Sequence, residues 1–142
     1  MPENKRNMIR MVHDKEAIFK NKKVLITDDD VRNVFALAII LEDKNIEIVA
    51  AKDGKECLTM LDKYDNISLV LMDIMMPEMD GYEAMQAIRK HPKYHNIPII
   101  ALTAKAMKGD KAKCIEAGAN DYLSKPIDTD KLLSLMRVWL YR

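Results

Sequence analysis

From Lys22 onward, short apolar runs rich in β-branched residues alternate with longer stretches of helical spacing. The runs are Val24–Thr27, Ile46–Ala50, Ile67–Met72, Ile97–Leu102 and Asp121–Leu123. Between them, Val34, Leu37, Ala38 and Leu41 share one face of a helix, as do Cys57, Leu58 and Leu61 in the next segment. Near the end, Leu132, Leu135, Met136 and Trp139 fall at i, i+3, i+4 and i+7, the repeat of a half-buried helix. Asp53 and Asp128 stand where N-caps are wanted, since a short carboxylate accepts from the first free backbone N–H groups. Gly118 stands where the fourth helix should end in a left-handed residue.

Strands alternating with helices predict βαβ units, whose right-handed crossovers build a parallel sheet covered on both faces. The near-continuous apolar strands agree with burial on both sides. The expected fold class is α/β: a three-layer, doubly wound, five-stranded parallel sheet. Residues 1–21 stand outside this rhythm, being polar and mixed in charge, and read as a linker or helical extension. Residues 22–142 form the domain.

Composition narrows the class. A chain of 142 residues with 49% hydrophobic content is long enough for one domain with a substantial core. A net charge of +1 gives no bulk attraction toward nucleic acid or an anionic membrane. No apolar run approaches the roughly 20 residues of a membrane helix, and no signal-peptide pattern opens the chain, so a cytosolic location is expected. The two cysteines, Cys57 and Cys114, sit on apolar positions of helices and read as reduced packing residues.

The chemistry gathers at the strand ends. In an open parallel sheet, ligands bind beyond the carboxyl ends of the strands, where chain order reverses. The first strand delivers Asp28, Asp29 and Asp30, the third Asp73, the fourth Thr103 and the fifth Lys125 followed by Pro126. Neighbouring strands lie about 4.8 Å apart, so adjacent first and third strands would crowd their carboxylates. Such crowding calls for a proton or a cation among them. Oxygen ligands without His or Cys favour a hard ion such as Mg²⁺. A lysine and a hydroxyl opposite would suit a phosphoryl group, and a carboxylate is a competent nucleophile toward one. Taken singly, a strand-end Asp is most often a cap or turn residue. Likewise Thr103 alone would be a hydroxyl bonded to backbone, and Lys125 a solvated lysine. The combination across four strand ends is what those readings leave unexplained.

The segments VLITDDD (24–30), LVLMDIMMPEMDGYEAM (69–85), PIIALTA (98–104) and AGANDYLSKPID (117–128) together resemble the receiver domain of two-component response regulators. The acidic triplet followed by Asn33 is similar in particular to receivers attached to hybrid histidine kinases. The resemblance implies the flavodoxin-like strand order 2-1-3-4-5. It implies Asp73 as phosphoacceptor and Asp28 and Asp29 as the acidic pair at the Mg²⁺ site, with Asp29 favoured of the two as direct ligand and the backbone carbonyl of Met75 completing the protein's ligands. Thr103 and Lys125 would bind the phosphoryl group, and Thr103 and Tyr122 would form the switch. A cis Lys125–Pro126 bond is expected, and Asp80 and Gly81 should open the third helix. The donor would be a histidine kinase or a histidine phosphotransfer protein, in a relay that switches conformation to signal. A receiver catalyses its own phosphorylation and dephosphorylation without being a conventional enzyme.

Two further expectations concern surfaces. Every position from Val34 to Leu41 is apolar, more than one buried stripe needs, so Phe35 and Ile39 are either covered by flanking helices or form a patch for a helical phosphodonor. The fourth helix has few apolar anchors (Met107, Cys114, Ile115), an internal Gly109 and several lysines, including Lys105 and Lys108, that read mainly as a solvated face. Two rival functions remain. One is a phosphatase of the haloacid dehalogenase type using Asp28 as nucleophile; the other is a non-phosphorylated interaction module of the same fold.

Overall fold

The computed structural model describes residues 18–104 and 110–141. Strands β1 (Lys23–Thr27), β2 (Glu47–Ala51), β3 (Leu69–Asp73), β4 (Ile99–Thr103) and β5 (Asp121–Ser124) alternate with five helices. These are α1 (Val31–Glu42), α2 (Gly54–Lys63), α3 (Gly81–Lys90), α4 (Asp110–Ala117) and α5 (Thr129–Leu140). The sheet order is β2-β1-β3-β4-β5 with every pairing parallel, as expected. Register decides where the chemistry lands. Thr27 lies opposite Ala51 and Met72, Asp73 opposite Leu102, and Thr103 opposite Ser124. Residues 28, 73, 103 and 125 therefore reach one rim of the sheet together.

Each face of the sheet carries its own core. Helices α1 and α5 cover Val24, Ile26, Leu69, Leu71, Ile100 and Leu102; α2, α3 and α4 cover Leu25, Val70, Met72, Ile99 and Ala101. The alternation of strand side chains between faces makes this division automatic. The central strands β3 and β4 are buried at every position. Strand β2 lies at an edge, where Glu47 and Ala50 are exposed, so the rule of near-continuous burial holds for the middle of the sheet and relaxes at its border. Pro98 has no N–H for a ladder, and β4 starts after it rather than at Ile97.

The caps fall where the sequence places them. Asp53, Asp80 and Asp128 accept from the backbone N–H groups of Glu56, Glu83 and Lys131. Asp30 does the same for α1 through Arg32. At Gly118 the backbone has φ +124°. Its N–H donates to the carbonyls of Cys114 and Ile115 and closes α4. Both cysteines are free and buried. Burial pushes the Cys57 thiol up to about 11, so it is an inert packing group.

Three details differ from expectation. The buried stripe of α5 is Leu132, Leu133, Met136 and Leu140, with Leu135 and Trp139 only partly buried at its margin. The reason is Phe19, fully buried beneath α5 with the Arg137 guanidinium carbon 5.4 Å above its ring. It draws the packing toward that side. In α4, Ile115 is exposed, and the anchors are Cys114 and Ala117. Met107, Gly109, Lys105 and Lys108 lie outside the described residues, as does most of the proposed extension; of its last residues, Phe19 belongs to the core. Among the described residues no helix is long and apolar enough to cross a membrane.

Candidate functional site

The first carboxylate is fixed by the turn that follows β1. The Asp28 N–H donates to the carbonyl of Ala51 at the end of β2, 3.0 Å away, which anchors the residue as β1 leaves the sheet. Its Oδ1 accepts from the backbone N–H of Asp30 at 2.9 Å. Its Oδ2 accepts from Asn33 Nδ2 on the first turn of α1 at 3.3 Å and from Lys125 Nζ at 3.2 Å. Asp28 is 2% exposed, while Asp29 beside it faces solvent. Asp30 turns away to cap α1; its hydrogen bond from the Arg32 side chain holds its carboxyl below the usual carboxylate range.

Asp73 ends β3, 4% exposed. Lys125 Nζ donates to its Oδ1 at 3.3 Å, so one ammonium bridges Asp28 and Asp73. Lys125 is held in turn by its backbone N–H on the Thr103 carbonyl at 2.7 Å, and the Lys125–Pro126 bond is cis. Behind Asp73 the chain doubles back tightly: the Gly81 N–H donates to the Ile74 carbonyl at 3.0 Å. A methyl group added at Gly81 would strike the carbonyl of Asp73 and, at 2.8 Å, the Cα of Ile74. Only a residue without Cβ lets α3 start this close to the strand end.

Electrostatics follow from burial. Asp73 is pushed up to about 6, first by desolvation and then by the Asp28 charge; the Lys125 ammonium and the Met75 backbone N–H oppose this. Burial also works against the charge on Lys125, yet the facing carboxylates of Asp73 and Asp28 outweigh it and hold the ammonium above its ordinary value. Carboxylate oxygens of Asp28, Asp29 and Asp73 lie within 4.8 Å of one another. A donor set of hard oxygens with more negative charge than one lysine neutralises fits a divalent cation of the Mg²⁺ class.

The remaining predicted residues sit around this centre. Thr103 is 3% exposed, its hydroxyl making a long hydrogen bond (3.4 Å) to the Leu123 carbonyl of β5. Tyr122 is half-buried on β5, with Lys111 Nζ of α4 5.9 Å from its ring centre. The Met75 side chain is exposed at the mouth. So are Val31, Phe35 and Ile39, a stripe along α1 beside the site, which decides between the two readings of that helix in favour of an open apolar patch. Residue patterns alone did not reveal the hydrogen bond from Asn33 to Asp28 or the fit of Gly81 against Asp73. The signal for the first was the five-residue spacing, which puts Asn33 on the first turn of the following helix.

A doubly wound parallel sheet whose acidic strand ends are bridged by a lysine at one rim sets this site apart from a nucleotide fold with a glycine loop. Residues 24–137 match the response regulator receiver domain, and the chain belongs to that family. It is 40% identical over 121 residues to hybrid signal transduction histidine kinase I of Dictyostelium discoideum, spanning 81% of this chain and 7% of that much longer protein. Among solved structures it is similar to the receiver domain of sensor histidine kinase PA1611 from Pseudomonas aeruginosa, which has a magnesium ion coordinated in its active-site cleft. That match has a TM-score of 0.78 and 30% identity over 85% of this chain and 98% of that one. It is also similar to the receiver domain in the Saccharomyces cerevisiae complex of the histidine phosphotransfer protein Ypd1 with its downstream response regulator Ssk1. There the TM-score is 0.77, at 31% identity over 85% and 90% of the two chains. The chain is thus a receiver domain of two-component signalling.

Proposed function

We propose that Asp73 accepts a phosphoryl group from a phosphohistidine on a histidine kinase or histidine phosphotransfer protein, and that the aspartyl phosphate switches the domain's conformation. The observation that carries this is the single lysine, Lys125, bridging two buried carboxylates at the rim where three acids converge. A carboxylate oxygen of Asp73 forms the new bond to phosphorus as the bond to the imidazole nitrogen breaks, and the imidazole leaves with the electron pair. Asp28 and Asp29, together with Asp73 and the Met75 carbonyl, would hold Mg²⁺, which supplies charge neutralisation to the equatorial phosphoryl oxygens. Lys125 exchanges its carboxylate partners for a phosphoryl oxygen. Thr103 gives up its long bond to Leu123 and donates to another, and Tyr122 moves into the space it leaves, a local change of charge with a packing readout. The exposed stripe Val31, Phe35 and Ile39 offers a helical donor an apolar seat beside Asp73.

Phosphorylation of the chain by a phosphorylated histidine phosphotransfer protein, followed by peptide mapping of the label, tests the reading. Label on Asp73, and its loss in Asp73→Asn, is expected. Label on Asp28 would instead favour the phosphatase chemistry, and no label with any donor would favour the interaction module.

A further inference from the structure

We propose that Asn33 is a positioning residue that keeps the Asp28 carboxylate aimed at the metal once Lys125 has turned to the phosphoryl group. This rests on the reading above and adds a role that the acidic residues and the lysine do not fill.

The argument starts from the hydrogen-bond count on Asp28. Its Oδ1 takes the Asp30 backbone N–H and keeps one lone pair free; its Oδ2 takes two donors, Asn33 Nδ2 at 3.3 Å and Lys125 Nζ at 3.2 Å. Each carboxylate oxygen has about two acceptor positions in plane, so Oδ2 is saturated and Oδ1 alone remains for a cation. Lys125 already divides itself between Asp28 and Asp73. A phosphoryl group on Asp73 would bring close to two negative charges and three strong acceptors to the same ammonium, and the lysine goes to the stronger partner. Asn33 does not move with it. Its backbone N–H donates to the Asp30 carbonyl at 3.0 Å within the first turn of α1, and Asp30 caps that helix through its own side chain. The amide therefore holds Oδ2 from a support independent of Lys125.

Residue type fits the task. A second cation at this position would cancel the charge the metal needs, and a carboxylate would repel Asp28. A neutral amide donates without doing either. Asn33 also lines a cavity of about 210 Å³ shared with Asp28, Lys125, Leu37 and Ile127. Removing its amide opens space rather than forcing a clash, which makes substitution a clean probe.

The test is Mg²⁺ titration by calorimetry on the full chain for wild type, Asn33→Ala, Lys125→Ala and the double variant. Asn33→Leu serves as a shape-matched control, and melting temperatures are recorded without metal. With Lys125 present, Asn33→Ala should weaken Mg²⁺ binding about threefold. In the Lys125→Ala background, or in the wild-type background with beryllofluoride standing in for the phosphoryl group, the same change should cost about tenfold or more, since a hydrogen bond to a charged group is then lost without a substitute. Asn33→Leu should behave as Asn33→Ala does. Equal factors in both backgrounds, or no effect in either because water replaces the amide, would overturn the assignment to Asn33 alone. A wild-type chain that does not bind Mg²⁺ would overturn the proposed function and this inference together.

Discussion

Asp73 shows what it costs to keep a carboxylate at the end of a buried strand. Folded, its carboxyl titrates at about 6; unfolded, it returns to about 4. The native state therefore holds this proton more tightly, and the stability it contributes is complete below about pH 4 and disappears as pH rises through 6. At pH 7 the ionised group opposes folding by up to about 3 kcal/mol, a net figure in which the Lys125 ammonium already offsets part of the burial cost. Asp73→Asn, which cannot ionise, should be more stable than wild type at pH 7 without metal, by about 1–2 kcal/mol. The gap should close by pH 4. Urea unfolding at a series of pH values measures it, and equal stability at pH 7 would mean that Lys125 already cancels the burial penalty. Added Mg²⁺ should narrow the gap at neutral pH, since only the carboxylate form gains from the ion.

Among the elements, α4 is tied to its neighbour by a single side chain of α3. Its buried anchors among the described residues are Cys114 and Ala117, and its C-terminal end is gripped from α3 by Arg89. That guanidinium donates from Nε and Nη2 to the Gly118 carbonyl (2.9 and 2.6 Å), from Nη1 to the carbonyls of His95 and Ile97 (2.7 Å each), and from Nη2 to Asn120 Oδ1 (2.8 Å). All five of its donors are occupied. Asn120 Oδ1 also accepts from the Ile99 N–H, tying the grip to the start of β4. Arg89→Leu should cost about 2–4 kcal/mol, because several part-buried acceptors lose their partner at once. Chemical unfolding gives the total. Amide exchange should accelerate at Gly118, Ala119 and Asn120 before the rest of the sheet; uniform acceleration would mean that Arg89 supports the fold generally and not α4 in particular.

These elements also show what the sequence makes legible. Strand ends, caps and the turn at Gly118 depend on local chemistry, so Asp53, Asp128 and Gly118 could be assigned from their neighbours alone, while Asp80 came with the family resemblance. The convergence of Asp28, Asp73, Thr103 and Lys125 follows from topology, because a parallel sheet aligns its carboxyl ends. Arg89 was opaque, since a cation in the last turn of an amphipathic helix is ordinary and its partners come from two separate segments, the loop at His95 and Ile97 and the turn at Gly118 and Asn120. The rotated face of α5 was opaque for a similar reason. Helical periodicity gives a stripe's width but not which neighbour shifts its centre, and Phe19 arrives from outside the repeating pattern.

For the molecule as a whole, helices cover both faces of the sheet, and the outer surface of α1 is left apolar. Val31, Phe35 and Ile39 stand there in solvent, Phe35 at 63% and Ile39 at 71% exposure. Large apolar residues one turn apart along a single helix form a patch rather than scattered surface hydrophobics, as the proposed docking of a helical donor requires. Phe35→Ala should slow transfer from a phosphorylated histidine phosphotransfer protein about tenfold, while phosphorylation by a small-molecule phosphodonor such as phosphoramidate stays unchanged. Slowing of both would place the fault in the active site, and slowing of neither would remove α1 from the interface.

Phe19 has a practical corollary for anyone shortening this polypeptide. Its ring has no solvent exposure and shares the α1–α5 interior with Leu132 and Met136. Trimming back to the first strand would carve a benzyl-sized hole out of that interior, so the safe place for scissors lies upstream of Ile18 rather than at Lys22.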